Sequence, residues 1–348
     1  MTLFEPRHHS RDGSSPADPR AVIWDMITAY RVSQIVRTAA LFSLAEHCAE
    51  GTVTAGELAR AESADPAATA RFLRACAAVG LTTSHDGLHF TGTALLDTLR
   101  RDAEGSQWGF AVSLPAPGHW QPWGKLPAAI RAGTSQADQP IFDYYTTHPD
   151  EEAAFATGLD GMTAVAGSEA AAVLDTSGST LAVDVGGSTG TLMHALMAVN
   201  PTLRGVVMDV PTVLPHAVAA AEALGLSDRL SVSGGDFFAS VPSGGDLYLL
   251  RYVLHDWNDE QCIRILSNCR TAMAPGGRVC VLEMLLGEVG AEQFAVPGQD
   301  LSMLAVLQGR ERSLSMFDPL FEAAGLRRIA VHPTGSPLAV IEAQAIVQ

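Results

Sequence analysis

The chain is short of several things, and each shortage excludes a class of function. Five cysteines lie scattered over 348 residues with no C-x-x-C pair, so neither a disulfide framework nor a zinc site is indicated. Basic residues are scarce: 22 Lys and Arg stand against 38 Asp and Glu, and the net charge of −16 opposes the phosphates of nucleic acid and of anionic membranes. No continuously apolar run reaches the roughly eighteen residues of a membrane helix. The first twenty residues lack the apolar stretch of a signal peptide, so a cytoplasmic location is expected. There is no G-x-x-x-x-G-K-[ST] loop. The glycine turn at 186–190 also misses the dinucleotide fingerprint, because counting from Gly186 puts Ser188 third and Thr191 sixth. A P-loop and a nicotinamide site are disfavoured.

What is present is a globular composition, 47% apolar and 17% charged, and a length sufficient for about two domains. The chain is organised around 181–190, LAVDVGGSTG, where an apolar run interrupted by Asp184 meets paired glycines. Leu192, Met193, Leu196 and Met197 then recur at helical spacing. A strand, tight turn and helix of this kind brings backbone N–H groups close to a ligand. A nucleoside-containing cofactor is the functional reading, and a plain strand-to-helix connection the structural one.

Downstream the pattern of strand and helix repeats. A strand over 203–209 ends at Asp209, nineteen residues beyond Gly190. An acidic residue there is placed to accept from both ribose hydroxyls; a solvated loop carboxylate is the alternative. A strand over 230–233 leads to Asp236 and Phe237, suited to an adenine amino group and ring face, or to an ordinary turn followed by core phenylalanine. The near-continuous apolar run 246–253 reads as a central parallel strand, and it runs into Leu254-His255-Asp256-Trp257. A histidine at the carboxyl end of such a strand faces the ligand crevice and suits a general base, although lone histidines are commonly structural. A fifth strand over 278–284 carries Glu283 near its end. A helix over 314–324 and two terminal strands, 327–332 and 338–343, close the chain. The expected fold is α/β: a mostly parallel sheet with helices on both faces and one antiparallel strand.

The N-terminal third reads differently. Apolar residues recur at helical spacing over 21–48, a face so wide that pairing between subunits is expected to cover part of it. A short helix follows Thr54, another runs from Asp65-Pro66 to Gly80, and 81–84 and 88–91 flank a turn at 85–87. That is the order of a winged helix. The candidate recognition helix offers only Arg71 and Arg74 as long donors, so a dimerisation platform is favoured over a DNA-binding regulator. Between the halves, 105–150 is rich in aromatics and proline, and a helix from about Pro149 includes Phe155 and Met162. Trp120, Phe155 and Met162 serve either as core or as contacts to a flat apolar substrate.

As a set, VDVGGSTG at 183–190, MDVP at 208–211, GDFF at 235–238, LHDW at 254–257, DLSML at 300–304 and GRERS at 309–313 resemble the metal-independent small-molecule O-methyltransferases of plant phenolic and bacterial antibiotic pathways. The resemblance covers nearly the whole chain. It implies a flexible arm at 1–20, a winged-helix dimerisation domain at 21–104, a helical connector at 105–176 that contributes to the substrate pocket, and a Rossmann-like methyltransferase domain at 177–348. It implies S-adenosylmethionine held by Gly187, Asp209, Asp236, Phe237 and Arg251, with Trp257 against the adenine, and no metal. His255 is the implied base, with Glu283 and Glu311 around it, although Glu311 also adjoins Arg310 and Arg312 and so reads as a surface ion pair. Trp120, Phe155, Met162, Asp256 and Met303 are the expected substrate contacts. The expected reaction is methylation of an aromatic hydroxyl by a homodimer. A same-fold decarboxylase or hydroxylase acting on a polyketide is the alternative.

Overall fold

The computed structural model describes residues 18–103, 105–287 and 295–346. It divides into two compact units, one of 145–161 with the described residues up to Trp120, the other of 121–144 with the described residues from Met162 onward. All but the last three residues of the expected arm lie outside the described residues.

In the first unit the helical stretch near the start is three helices, Pro19–Thr28, Tyr30–Leu41 and Leu44–Ala49. The second break falls at Ser43, whose φ of 45° is left-handed, with neither Gly nor Pro to mark it. The helix Ala55–Ala61 begins in a capping box: Thr54 Oγ1 accepts from Glu57 N, and the Glu57 carboxylate accepts from Thr54 N at 2.8 Å. The helix Pro66–Ala78 starts with its first-turn proline and with Asp65 accepting from Ala68 N at 2.8 Å. Strands β1 (Thr52–Thr54), β2 (Thr82–Thr83) and β3 (His89–Gly92) form an antiparallel sheet in the order β1-β3-β2. Asp86 closes the turn between β2 and β3 by accepting from Leu88 N and His89 N. Leu44, Leu58, Leu73, Cys76 and Leu96 fill the core beneath. The helix Pro19–Thr28 buries none of its residues and leaves Ile23, Trp24, Met26 and Ile27 each more than half exposed. A contiguous apolar face of that kind marks an interaction surface.

The second unit is built on seven strands: β4 (Leu181–Val185), β5 (Arg204–Asp209), β6 (Leu230–Gly234), β7 (Leu247–Arg251), β8 (Arg278–Met284), β9 (Leu326–Pro333) and β10 (Leu338–Ala345). Their order is β6-β5-β4-β7-β8-β10-β9, and β10 alone runs antiparallel to its neighbours. Alternate residues serve opposite faces. Val183, Val185, Tyr248, Leu250, Val279 and Val281 join the core beneath helices Asp259–Ala272 and Leu314–Ala323. Ala182, Leu247, Leu249, Cys280 and Leu282 join the core beneath helices Thr191–Val199 and Leu214–Ala223. With both faces covered, the strands carry near-continuous apolar runs. From β4 the chain proceeds outward one way through β5 and β6, then returns to the other side of β4 for β7 and β8, so a ligand crevice opens at the carboxyl ends of β4 and β7. No helix among the described residues is long and apolar enough to cross a membrane.

Candidate active site at the carboxyl edge of the sheet

Five strand ends converge at this edge. β4 stops at the glycine turn, where Gly186 and Gly187 N–H both face Met208 O, at 2.8 and 3.2 Å. The turn needs its glycines for different reasons. Gly186 has φ 71° and lies so close to the next strand's exit that an added Cβ would stand 3.0 Å from Val253. A Cβ on Gly187 would sit 2.7 Å from the Asp184 carboxylate. Asp209, at the end of β5, accepts from Ser188 N at 2.8 Å and from Val210 N at 2.7 Å, and so ties the turn to the neighbouring strand. Burial raises the Asp209 pKa in spite of those two bonds.

Asp184 is the more unusual group. It is buried among apolar strand residues, and its Oδ2 has no hydrogen-bond partner among the described residues. Burial pushes its carboxyl up to about 7; the Arg251 charge opposes the shift and Asp209 adds to it. A ligand bearing positive charge or N–H and O–H donors fits beside two such carboxylates. Since the folded pKa exceeds the ordinary 3.8, the fold holds a proton that the unfolded chain releases, and stability falls as pH climbs from about 4 to about 7. Asp184→Asn should therefore stabilise the ligand-free protein by about 1–3 kcal/mol at pH 8 and hardly at all at pH 4. Urea unfolding at both pH values measures this, and an equal shift at each would contradict it.

β7 ends at Arg251, and after Tyr252 and Val253 the chain makes a short 3-10 turn, Leu254–Asp256. Glu283, on β8, gathers the N–H groups of that turn: its Oε1 accepts from Val253, Leu254 and His255 at 3.2, 3.0 and 3.3 Å. Glu311 comes from the segment after helix Ala295–Val306, pinned beside the end of β8 by the bridge between Leu285 and Arg312. His255 is buried, with Nδ1 2.8 Å from Glu311 Oε1 and 3.7 Å from Glu283 Oε2, and with Nε2 3.4 Å from Asp256 Oδ1. Burial by itself disfavours a charged ring. The carboxylates of Glu283, Asp256 and Glu311 outweigh it and push the imidazole from 6.5 up to about 10. Burial also lifts Glu283 and Asp256, with His255 pulling both back.

The surface ion-pair reading of Glu311 is excluded: its side chain is buried and bonded to His255. Its neighbour Arg312 turns inward to other partners. The guanidinium donates to Leu254 O, Trp257 O and Asp259, holding both ends of the histidine turn. His255, Glu283 and Glu311 present donor atoms within 4.8 Å of one another, close enough for a metal ion. The 2.8 Å contact between Nδ1 and Glu311 calls for a proton between them, which suits proton handling better than ligation.

The remaining sequence candidates fall into two groups. Phe237 and Trp257 meet edge to face at 6.0 Å beside Phe238, and Asp236 is exposed next to them, accepting from Phe238 N. Arg251 ends β7, and Met303 is buried on helix Ala295–Val306. Met162 is half-buried on helix Pro149–Val173. Trp120 and Phe155 belong to the first unit, where Trp120 is exposed and Phe155 packs against Phe110, His119 and Tyr145. Sequence reasoning passed over Arg312, Asp259 and Tyr252. It noted Asp184 only as an interruption, although a lone charge inside a buried strand is itself a signal.

Residues 123–327 match the O-methyltransferase domain and residues 24–99 the O-methyltransferase dimerisation domain. The phenazine O-methyltransferase PhzM of Lysobacter antibioticus is 31% identical over 97% of this chain and 99% of its own length. The mitomycin biosynthesis 6-O-methyltransferase of Streptomyces lavendulae is 34% identical over 91% and 92%. Among solved structures, NcsB1, an O-methyltransferase from neocarzinostatin biosynthesis in complex with S-adenosylmethionine and 2-hydroxy-5-methyl naphthoic acid, superposes with a TM-score of 0.80 at 32% identity, covering 90% of this chain and 96% of that one. With the glycine turn, the buried carboxylates beside it and the imidazole at the end of β7 in one sheet edge, the chain belongs to the S-adenosylmethionine-dependent O-methyltransferase family.

Proposed function

We propose that this chain methylates a hydroxyl of a flat aromatic small molecule, with His255 as the general base. The observation that carries this reading is the imidazole held at Nδ1 by Glu311, 2.8 Å away, on a turn that adjoins the glycine loop. A phenol of pKa ~10 is a weak nucleophile at neutral pH. Glu311 accepts the Nδ1 hydrogen and so fixes the tautomer whose Nε2 takes the phenolic proton. Glu283 acts on the backbone, keeping the turn in place. Gly187 leaves room for the nucleoside, Asp209 accepts from its ribose, Asp236 from its adenine amino group, and Phe237 and Trp257 flank the base; Arg251 pairs with a carboxylate. When bound, S-adenosylmethionine supplies an activated methyl group and a positive charge that opposes the carboxylates' pull on the imidazole. Trp120, Phe155, Met162, Asp256 and Met303 are assigned to the acceptor, and the naphthoate bound by NcsB1 supports a flat ring. The charge of −16 weighs against nucleic acid and membrane partners, and five unpaired cysteines suit the cytoplasm. Two copies pair through the helix Pro19–Thr28, which leaves its apolar face open.

The test is incubation with S-adenosylmethionine and a panel of hydroxylated aromatics, followed by mass spectrometry. A product heavier by one methylene supports the reading; acceptor consumed without that gain supports altered chemistry on the same fold. The pH dependence adds a second measure. A base must be neutral, so activity should climb as pH rises through the imidazole's pKa. The acid limb of kcat/KM for the cofactor, set by free enzyme whose imidazole is pushed up to about 10, should lie at higher pH than the limb for the acceptor at saturating cofactor. Coincident limbs would remove the cation from that role.

A further inference from the structure

Tyr252 has no part in the roles assigned above. It lies between β7 and the histidine turn with φ 50°, a left-handed conformation that bulky side chains adopt only where the surroundings hold them in it. Its N–H donates to Leu282 O at 3.1 Å, which pins the bend to β8. The ring packs against the core beneath helices Thr191–Val199 and Leu214–Ala223 and lies beside the imidazole. It tilts 33° against the His255 imidazole with centroids 5.5 Å apart, and the Arg251 guanidinium stands 5.3 Å from its centroid.

The hydroxyl is what separates this residue from a packing tyrosine. Tyr248, four residues earlier, donates its hydroxyl to Pro242 O at 2.6 Å and accepts from Gly245 N at 3.3 Å. Tyr252 is half-buried, and no described residue bonds its hydroxyl. Burial and the nearby Glu283 carboxylate raise its pKa, which keeps the phenol neutral and able to donate. The other side chains around the imidazole, Glu283, Glu311 and Asp256, can only accept when ionised.

We propose that Tyr252 reads the acceptor, donating a hydrogen bond to a second oxygen or nitrogen on the ring carbon next to the reacting hydroxyl. The proposal rests on His255 receiving that hydroxyl. A ring whose centroid lies 5.5 Å from that of the imidazole is near enough for its hydroxyl to reach a substituent next to the one His255 receives. The preferred acceptor class is therefore a vicinal pair, as in a catechol or an ortho-hydroxycarbonyl.

Calorimetry on the full chain saturated with S-adenosylhomocysteine tests it, using 2,3-dihydroxynaphthalene and 2-naphthol as matched probes. The parent should bind the diol roughly tenfold more tightly, the worth of one good hydrogen bond, and Tyr252→Phe should lose that preference while keeping the ring against His255. Because the hydroxyl has no partner among the described residues, Tyr252→Phe should melt as the parent does. A parent without preference, a variant that retains it, or a variant that melts clearly lower would each overturn the assignment. Methyl transfer to the same two probes is read separately by mass. Preferential binding without transfer would remove the methyltransferase reading and leave Tyr252 as a recognition residue.

Discussion

His255→Ala should lower turnover by about 10²–10⁴-fold while leaving S-adenosylhomocysteine affinity nearly intact. The size of the effect follows from the environment, where neither glutamate beside the imidazole can take the proton without losing another role. Glu283 Oε1 already accepts three backbone N–H bonds, and Glu311 accepts a backbone-anchored imidazole, not a ligand. Removing the ring also leaves two buried carboxylates facing each other without a cation. The variant should therefore be less stable than the parent at pH 8, and the gap in melting temperature should narrow as pH falls toward 5 and Glu283, whose carboxyl burial raises, takes up a proton. Parent-like turnover would end the case for a base at this position. A constant stability gap across pH would show that Glu283 is not coupled to the ring.

Gly309→Ala should be as damaging, although no role in binding is assigned to the residue. A Cβ at this position would stand 1.8 Å from the His255 carbonyl oxygen and 2.5 Å from the Asp256 carbonyl carbon, both backbone atoms with nowhere to yield. The histidine turn and the segment carrying Glu311 would have to separate by an ångström or more. That separation strains the bonds by which Arg312 clasps Leu254 and Trp257. Overpacking of this kind costs about 1–3 kcal/mol or more, and a displacement of about 1 Å at a reacting group costs about 10²-fold in rate. A kcat loss of at least that size with a lowered melting temperature is expected; a variant with parent kcat would mean that the contact relaxes harmlessly. The glycine of GRERS is thus a spacing element for the turn it never adjoins in sequence.

Much of the second unit was legible because its forces are local and periodic. β4 and β8 occupy the residues that their apolar runs mark out, and β10 runs antiparallel as a closing pair without a helix between its strands requires. β7 ends two residues before its apolar run does, because Tyr252 bends the backbone without a glycine or proline to announce it. Ser43 hides a helix break in the same way. At the site, LHDW and Glu283 drew attention by lying at strand ends. Glu311 was ambiguous because its sequence neighbours are arginines, and only tertiary packing sends Glu311 to the imidazole and Arg312 to Asp259. The burial of Asp184 without a partner for Oδ2 is likewise a property of the assembled sheet.

All five thiols are buried, and burial pushes those of Cys76, Cys262 and Cys269 up to about 12. Vicinal diols on aromatic rings oxidise readily to ortho-quinones, electrophiles that capture thiolates. A catalyst handling such compounds would be open to arylation by the quinones that dioxygen forms from them if it carried an exposed, ionised sulfur. Here the folded protein offers none, so arylation by oxidised acceptor would have to wait until the chain unfolds.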